Sequence, residues 1–558
     1  MVKQVVVVVV FGLILGLAVL LQPITASPSP SSGADDDRPS RVLIVLIEAF
    51  RPDYIERFDM ENVKALMHQG TNFPNGIVGH MAAETVISHS VMTSGMFPKH
   101  MGWSNEVYRD VDNTLGQGAG AYHVTSSMSC DQFRALSVAG GYPRLSDYLD
   151  SAYPEGKFFS IGQKPTATCT AGHPADADDS IITFGSRSFD CDGDGIIDNT
   201  WRGPTGANVP TYISQPVCGR YYVDSDRNLD YGTKTTSPAW MYPLDGNRFV
   251  PGYDPAHLGG DVWTADAAID VIQNEPDWRG MLVSMGDVDK AGHMWGPDDA
   301  GSMGTTDEQA HLEFAAKTAD EQVGKIMAAL EEQGFVDDTL VVLTTDHAVQ
   351  QAERYHGVNK AGQSDFNWYY GKDSDETYLD PSPAIQPMID TGNIDFMYQD
   401  GHIAAYLHDR STEDLEQGAQ VMRTLPDVVA SYYREGSHYE LAWAGGKMTL
   451  TERRWWTQHQ NLLDTMAAPY GPDVVGLLRD RTSYGVAGDH GGHQKEIQRI
   501  PIILAGPGVE PGATPKQEAR LVDLLPTTLD LMNVPQDPAH PLDGTVLPVP
   551  SAKEDDDR

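Results

Sequence analysis

The sequence predicts an α/β fold, a central mostly parallel β-sheet flanked by helices and carrying inserted cap segments, and three observations support it. Short apolar runs recur along the chain, and most end on acidic or imidazole residues. Helical periodicities lie between those runs. Hydrophobic residues make up 40% of the 558 positions, enough to cover both faces of such a sheet.

Taken in order, Val42 to Ile47 runs into Glu48, Met281 to Met285 into Asp287 and Asp289, and Leu340 to Thr345 into Asp346 and His347, while Pro501 to Ala505 is a fourth run. Between them, Val63 to His68, Trp263 to Gln273 and the long Glu308 to Gln333 segment ending at Gly334 show the spacing of helices. Strands alternating with helices argue for parallel strands covered on both sides. In such sheets ligands gather at the carboxyl ends of the strands, which is where these acidic and histidine residues fall.

The N-terminus has the layout of an export signal, residues 1–26: Lys3, an apolar run from Val5 to Leu21, Pro23 and small residues through Ala26. A run of about 17 residues also reaches the lower limit for spanning a bilayer, so an uncleaved anchor is the competing reading. Residues 27–40, rich in Ser, Pro and Asp, read as a linker. The body is expected over 41–535, with insertions at about 106–260 and 350–482, and a C-terminal tail over 536–558. The expected location is secreted or extracytoplasmic.

Lys+Arg 39 against Asp+Glu 79 gives a net charge of -40. Partners that carry phosphate backbones or anionic lipid heads need clustered Lys and Arg, so nucleic-acid and membrane-surface functions are excluded as whole-chain readings. Cys130, Cys169, Cys191 and Cys218 make an even, clustered set, which in an exported chain predicts two disulfides with three pairings open. Asp190, Asp192, Asp194 and Asp198, with Gly195, match the first part of a calcium loop, but Trp201 stands where the bidentate Glu belongs. A structural calcium site and an acidic turn are both open there.

The strongest constellation is Asp289 to His293, then Asp346-His347, then Asp489-His490-Gly491-Gly492-His493. Carboxylate oxygen and imidazole nitrogen are the usual ligands of zinc and related cations. A single Asp-His pair is more often a helix cap or a loop; three in one chain, two of them directly after strand-like runs, point to a metal centre. The attacking group of a two-metal hydrolase has a candidate in Thr85, within Glu84 to Gly95, although by composition alone Thr85 is an ordinary helix-capping threonine.

The order of these segments resembles the alkaline phosphatase superfamily, in particular its type I phosphodiesterase/nucleotide pyrophosphatase branch. The resemblance lies in Ile47 to Tyr54, in Thr85 with His89, Thr93, Gly95, Pro98, His100 and Gly102, and in Asp289-x-x-Gly292-His293 with Gly296-Pro297. It continues through Asp346-His347, His490-Gly491, Val522 to Thr527 and Asp543-Gly544. It implies one metal held by Asp289, His293 and His490, a second held by Glu48, Asp346, His347 and Thr85, and zinc in both. It also implies a phosphothreonine at Thr85, with Asn105 bonding a nonbridging phosphoryl oxygen. Glu48 departs from the family's Asp by one methylene, Ala348 stands where glycine is usual, and His493 is the substitute for His490.

The expected function is therefore a secreted metal-dependent phosphoric ester hydrolase of phosphodiesterase type acting on a small-molecule phosphate ester. Phosphomonoesterase and phosphonate hydrolase are alternatives, and a decayed binding protein is a third. A sulfatase is disfavoured, because Cys130 to Arg134 lacks the central proline of the sulfatase motif. Lys99 and Arg51 are candidates to face a monoester dianion, with solvated surface the commoner fate of such residues, and aromatics of the second insertion, including Trp368, Tyr369, Tyr370, Trp455 and Trp456, are candidates to line a cap, with ordinary core packing the favoured reading.

Overall fold

Alternation along the first strand sets up a core with two sides. Every residue of Arg41–Ile47 is buried, and successive side chains of a strand point to opposite faces. Val42, Ile44 and Leu46 enter one apolar cluster with Val86, Ile87 and Val91; Leu43, Val45 and Ile47 enter another with Ala268, Val271, Ile326 and Leu330. The molecule is a computed structural model, and it describes residues 38–171, 179–186, 199–203, 209–215, 260–298, 307–356, 368–378, 382–484 and 488–550.

The sheet has eight strands, in the order Thr71–Asn72, Ile503–Ala505, Thr339–Thr344, Arg41–Ile47, Trp278–Met285, Lys157–Gly162, Asp179–Ser186 and Asn199–Arg202. The five strands from Thr339–Thr344 to Asp179–Ser186 are mutually parallel. The outer three pair antiparallel. The fourth predicted run is shorter than expected, starting at Ile503, because Pro501 has no N–H for a ladder. The predicted helices appear as Glu61–Gln69, Gly260–Asn274 and Asp307–Gln333, the last stopped at Gly334 with φ +72°.

The second insertion builds its own seven-stranded sheet, ordered Thr377–Tyr378, Tyr369–Lys372, Ile394–Gln399, His402–Leu407, Val474–Leu478, Val428–Glu435 and His438–Ala444. All of its pairings are antiparallel. Tyr369 packs against Tyr398 and Phe396 inside it, and Trp456 against Tyr432, so most of these aromatics are packing groups rather than a lining. After the last helix, the chain from 536 to 550 lies along the body, with Leu547 buried.

Cys130 and Cys169 form a disulfide between the helices Cys130–Gly140 and Pro165–Ala171. A bonded Cys130 is not available for sulfatase chemistry. Cys191, Cys218, the calcium-loop residues Asp190, Asp192, Asp194 and Asp198, and the export segment lie outside the described residues. No helix among the described residues is long and apolar enough to cross a membrane.

Asp480, just beyond Val474–Leu478, is pushed up to about 7 by burial and by Glu452 and Glu496. A carboxyl group raised in the folded state binds its proton more tightly there than in the unfolded chain. Stability is therefore fully present below the unfolded value near 3.8 and is lost as pH rises through about 7. Asp480→Asn is expected to raise the thermal midpoint by about 2 °C at pH 8 and leave it unchanged at pH 4, measured by thermal unfolding at both values.

Candidate metal centre

Three strands of the parallel sheet end at one place and deliver most of the cluster. Arg41–Ile47 ends at Glu48, Thr339–Thr344 leads to Asp346 and His347, and Trp278–Met285 leads into the helix Asp287–Trp295. That helix sets Asp289 and His293 four residues apart and so on one face. Their side chains meet, with His293 Nε2 3.3 Å from Asp289 Oδ1. The short strand Gly488–Asp489 delivers His490, whose Nε2 is 3.1 Å from His293 Nε2. The rings of His347 and His490 stack with centroids 3.8 Å apart. Ligand atoms of Asp289, His347 and His490 all lie within 4.8 Å of one another.

Two glycines make this approach possible. A Cβ on Gly488 would stand 2.1 Å from the Gly292 carbonyl oxygen, so the Asp289-x-x-Gly292-His293 turn and the His490 segment touch backbone to backbone. Gly491 has φ +76°, and a Cβ there would meet Asp400 Oδ2 at 2.1 Å.

The fit to metal ions shows in where the hydrogens sit. His293 Nδ1 donates to the Gly488 carbonyl at 2.9 Å, His347 Nδ1 faces the Ala348 carbonyl at 3.3 Å, and His490 Nδ1 faces Asp400 Oδ2 at 3.4 Å. His293 and His347 thus turn Nδ1 to a carbonyl and Nε2 inward, the arrangement of metal-ligating histidines, and His490 Nε2 also faces the cluster. Asp289 Oδ1 and Asp346 Oδ2 are buried and accept no hydrogen bond. Burial, with repulsion from His347 and His293, holds His490 well below the usual imidazole value and so keeps its lone pair free. Burial works against the charge of Asp289, but Lys164, His293, His347 and His490 outweigh it and hold the carboxyl well below its ordinary value.

Thr85 opens the helix Thr85–Ser94 and its Oγ1 lies 3.3 Å from His347 Nε2. Asp346 Oδ1 accepts from the N–H of Ala49 and of His347, at 3.1 and 2.9 Å, which fixes the end of Arg41–Ile47 against the end of Thr339–Thr344. Glu84 Oε2 accepts from Glu106 N at 2.7 Å, so the residue before Thr85 grips the residue after Asn105. Asn105 is fully buried, its Oδ1 accepting from Val107 N and its Nδ2 3.4 Å from His402 Nε2, while His402 Nδ1 bonds the Gly491 carbonyl. The structure thus gathers Glu48, Thr85, Asp289, His293, Asp346, His347 and His490, and ties Asn105 to them through His402. His493 is turned aside, its ring packed edge-on to Trp456 at 5.0 Å.

One residue at the cluster was not among the sequence candidates. Lys164, directly before the helix Pro165–Ala171, places Nζ 2.5 Å from Glu48 Oε2 and 2.5 Å from Asp289 Oδ2. Burial disfavours its charge, but Asp289, Glu48 and Asp346 outweigh that and raise its pKa. The two basic residues singled out from sequence are used elsewhere. Arg51 pairs with Asp53 at 2.8 Å and Asp298 at 3.5 Å, and Lys99 lines a cleft with Tyr108, Asp110 and Tyr470. Of the insertion's aromatics, Trp368 stands beside the cluster, its ring 5.9 Å from that of His293. An isolated Gly-Gln-Lys-Pro stretch carries no motif, so only the fold exposes Lys164.

A family model described as type I phosphodiesterase / nucleotide pyrophosphatase matches residues 42–123 and 190–492. Among curated proteins the chain is 21% identical over 563 residues to alkaline phosphatase PhoK of Sphingomonas sp, covering 93% of this chain and 92% of that one. It is 22% identical over 512 residues to alkaline phosphatase PhoD of Zymomonas mobilis subsp. mobilis, covering 84% and 81%. The solved structure of wild-type alkaline phosphatase PafA shares the fold, with a TM-score of 0.55 and 15% identity over 89% of this chain and 96% of that one. The matched motifs are the ones that build the metal cluster; the chain belongs to the type I phosphodiesterase / nucleotide pyrophosphatase family of the alkaline phosphatase superfamily and is a phosphoric ester hydrolase.

Proposed function

We propose that the chain hydrolyses small phosphate esters through a covalent phosphothreonine at Thr85. The observation that carries this reading is the Thr85 hydroxyl, which faces His347 Nε2 at 3.3 Å on the rim of a buried cluster of carboxylates and inward-turned imidazoles. Asp289, His293 and His490 would hold one divalent cation, and Glu48, Asp346, His347 and Thr85 a second; the mixed nitrogen and oxygen donor set suits zinc. Bound there, the ions supply Lewis acidity and a lowered pKa for water and hydroxyl groups.

Thr85 Oγ1 attacks phosphorus, its proton passes to solvent, the new Oγ1–P bond forms, and the ester P–O bond breaks, the leaving oxygen taking a proton from solvent to depart as the alcohol. Water then attacks the same phosphorus, the Oγ1–P bond breaks, and the threonine regains a proton, giving net retention at phosphorus. Asn105, held by Val107 N and His402, supplies a donor for a nonbridging oxygen. The alternative of a decayed binding protein sits poorly with a complete donor set. Export through residues 1–26 is part of the proposal.

A second observation bears on the substrate. Lys164 puts a cation between Glu48 and Asp289, a placement that favours the dianion of a phosphomonoester over a diester. The two curated relatives named above are alkaline phosphatases, in line with that preference. Acid quenching during turnover of nitrophenyl phosphate, followed by peptide mass spectrometry, is expected to find phosphate on Thr85. Phosphate on another residue, or on none in a burst-competent preparation, would overturn the covalent route.

A further inference from the structure

From the hydrogen-bond chain behind Glu48, we infer that Ser284 and His89 are positioning residues that fix the Glu48 carboxylate and couple it to the first turn of the Thr85 helix. The chain is continuous and buried. His89 Nδ1 lies 2.7 Å from the Thr85 carbonyl oxygen, His89 Nε2 lies 3.0 Å from Ser284 Oγ, and Ser284 Oγ donates to Glu48 Oε1 at 2.9 Å. All three side chains are at most 1% exposed.

The direction of donation follows from counting hydrogens. A carbonyl only accepts, so His89 Nδ1 carries a hydrogen toward Thr85. The single hydroxyl hydrogen of Ser284 goes to Glu48 Oε1, and the Ser284 oxygen rests against His89 Nε2 at 3.0 Å. His89 therefore donates to the Thr85 carbonyl and Ser284 to Glu48, with the two side chains in contact between them.

The consequence concerns the extra methylene of Glu48. A glutamate has one more free torsion than the aspartate usual in the family, and ordering it costs side-chain entropy each time an ion binds. Here Oε1 is already anchored by Ser284, which leaves Oε2 turned toward Lys164 and the cluster. The strand Trp278–Met285 supplies Ser284, which comes alongside Leu46 of the first strand, so the anchor is as rigid as the sheet itself. His89 takes part because position i+4 of the helix returns its ring beneath Thr85. The same histidine thus holds the Thr85 carbonyl on one side and, through Ser284, the Glu48 carboxylate on the other.

This inference rests on the proposed role of Glu48 as a ligand, and its test separates the two. Full-length protein loaded with zinc is titrated with a competing chelator, a readout that needs no turnover. The parent is expected to hold two ions per chain, and Ser284→Ala to hold one ion as tightly as the parent and the other about 10-fold or more weakly. With nitrophenyl phosphate at saturating zinc, kcat of Ser284→Ala falls while KM stays within about twofold. His89→Gln weakens the same ion, and the Ser284→Ala/His89→Gln double variant is no worse than the more damaging single change, because both act through Glu48. Equal zinc retention by Ser284→Ala and the parent would overturn the inference, as would additive effects in the double variant or a loss of both ions together. A parent that binds fewer than two ions would instead overturn the ligand assignment itself.

Discussion

Thr85→Ala is expected to lower turnover of phosphate esters by roughly 10⁴-fold or more while metal content and thermal midpoint stay at parental values. The size of the effect follows from what is removed. Thr85 Oγ1 is the one protein atom in the proposed route that bonds to phosphorus, and on the same helix Ser88 Oγ faces His80 and Thr93 Oγ1 donates to the His89 carbonyl. The fold loses little, because Thr85 helps hold the helix through its carbonyl, which accepts from His89 and is retained in alanine. Zinc analysis, thermal unfolding and initial rates on one preparation test the assignment. More than about one-hundredth of parental activity in a metal-replete Thr85→Ala protein would sink it.

Lys164→Ala is expected to lower kcat/KM for nitrophenyl phosphate by about 10²-fold and to change the rate on bis(nitrophenyl) phosphate by less than about threefold. The split arises from charge. A monoester presents two negative charges at neutral pH and a diester one, so losing a half-buried cation at the cluster is expected to fall mainly on the monoester. Lys164→Arg keeps the charge on a longer, planar group and should recover part of the loss. Removing Lys164 also takes a counter-charge from Glu48 and Asp289, so zinc affinity is expected to hold or rise. Equal losses on both substrates would show that Lys164 supports the cluster rather than choosing the substrate.

The strand ends show how far local sequence reaches. Val42 to Ile47 before Glu48, and Leu340 to Thr345 before Asp346-His347, are legible because a buried strand and its functional tip are contiguous. Asp289 and His293 are legible for the same reason, since four residues along a helix return to the same face. The second sheet was not read as a sheet: its seven strands come from within a region read only as an aromatic-rich insertion, although two of its hairpins turn on the short pairs Asp400-Gly401 and Gly436-Ser437.

Residue types and local spacing therefore pointed to the fold class and to the Asp-His pairs as candidate metal donors, because each pair sits inside a short motif whose geometry the nearby backbone sets, while the role of Thr85 and the full donor set with Glu48 came from the family resemblance. Tertiary structure decided which histidine of His490 and His493 turns inward, brought Lys164 to Glu48 and Asp289, and linked His89 to Glu48 through Ser284. His490 meets His293 across 197 residues of sequence and Ser284 meets Glu48 across 236, so these contacts depend on strand order and register. Side-chain direction at such distances is fixed by packing in the folded core, and no pattern in the neighbouring sequence carries it.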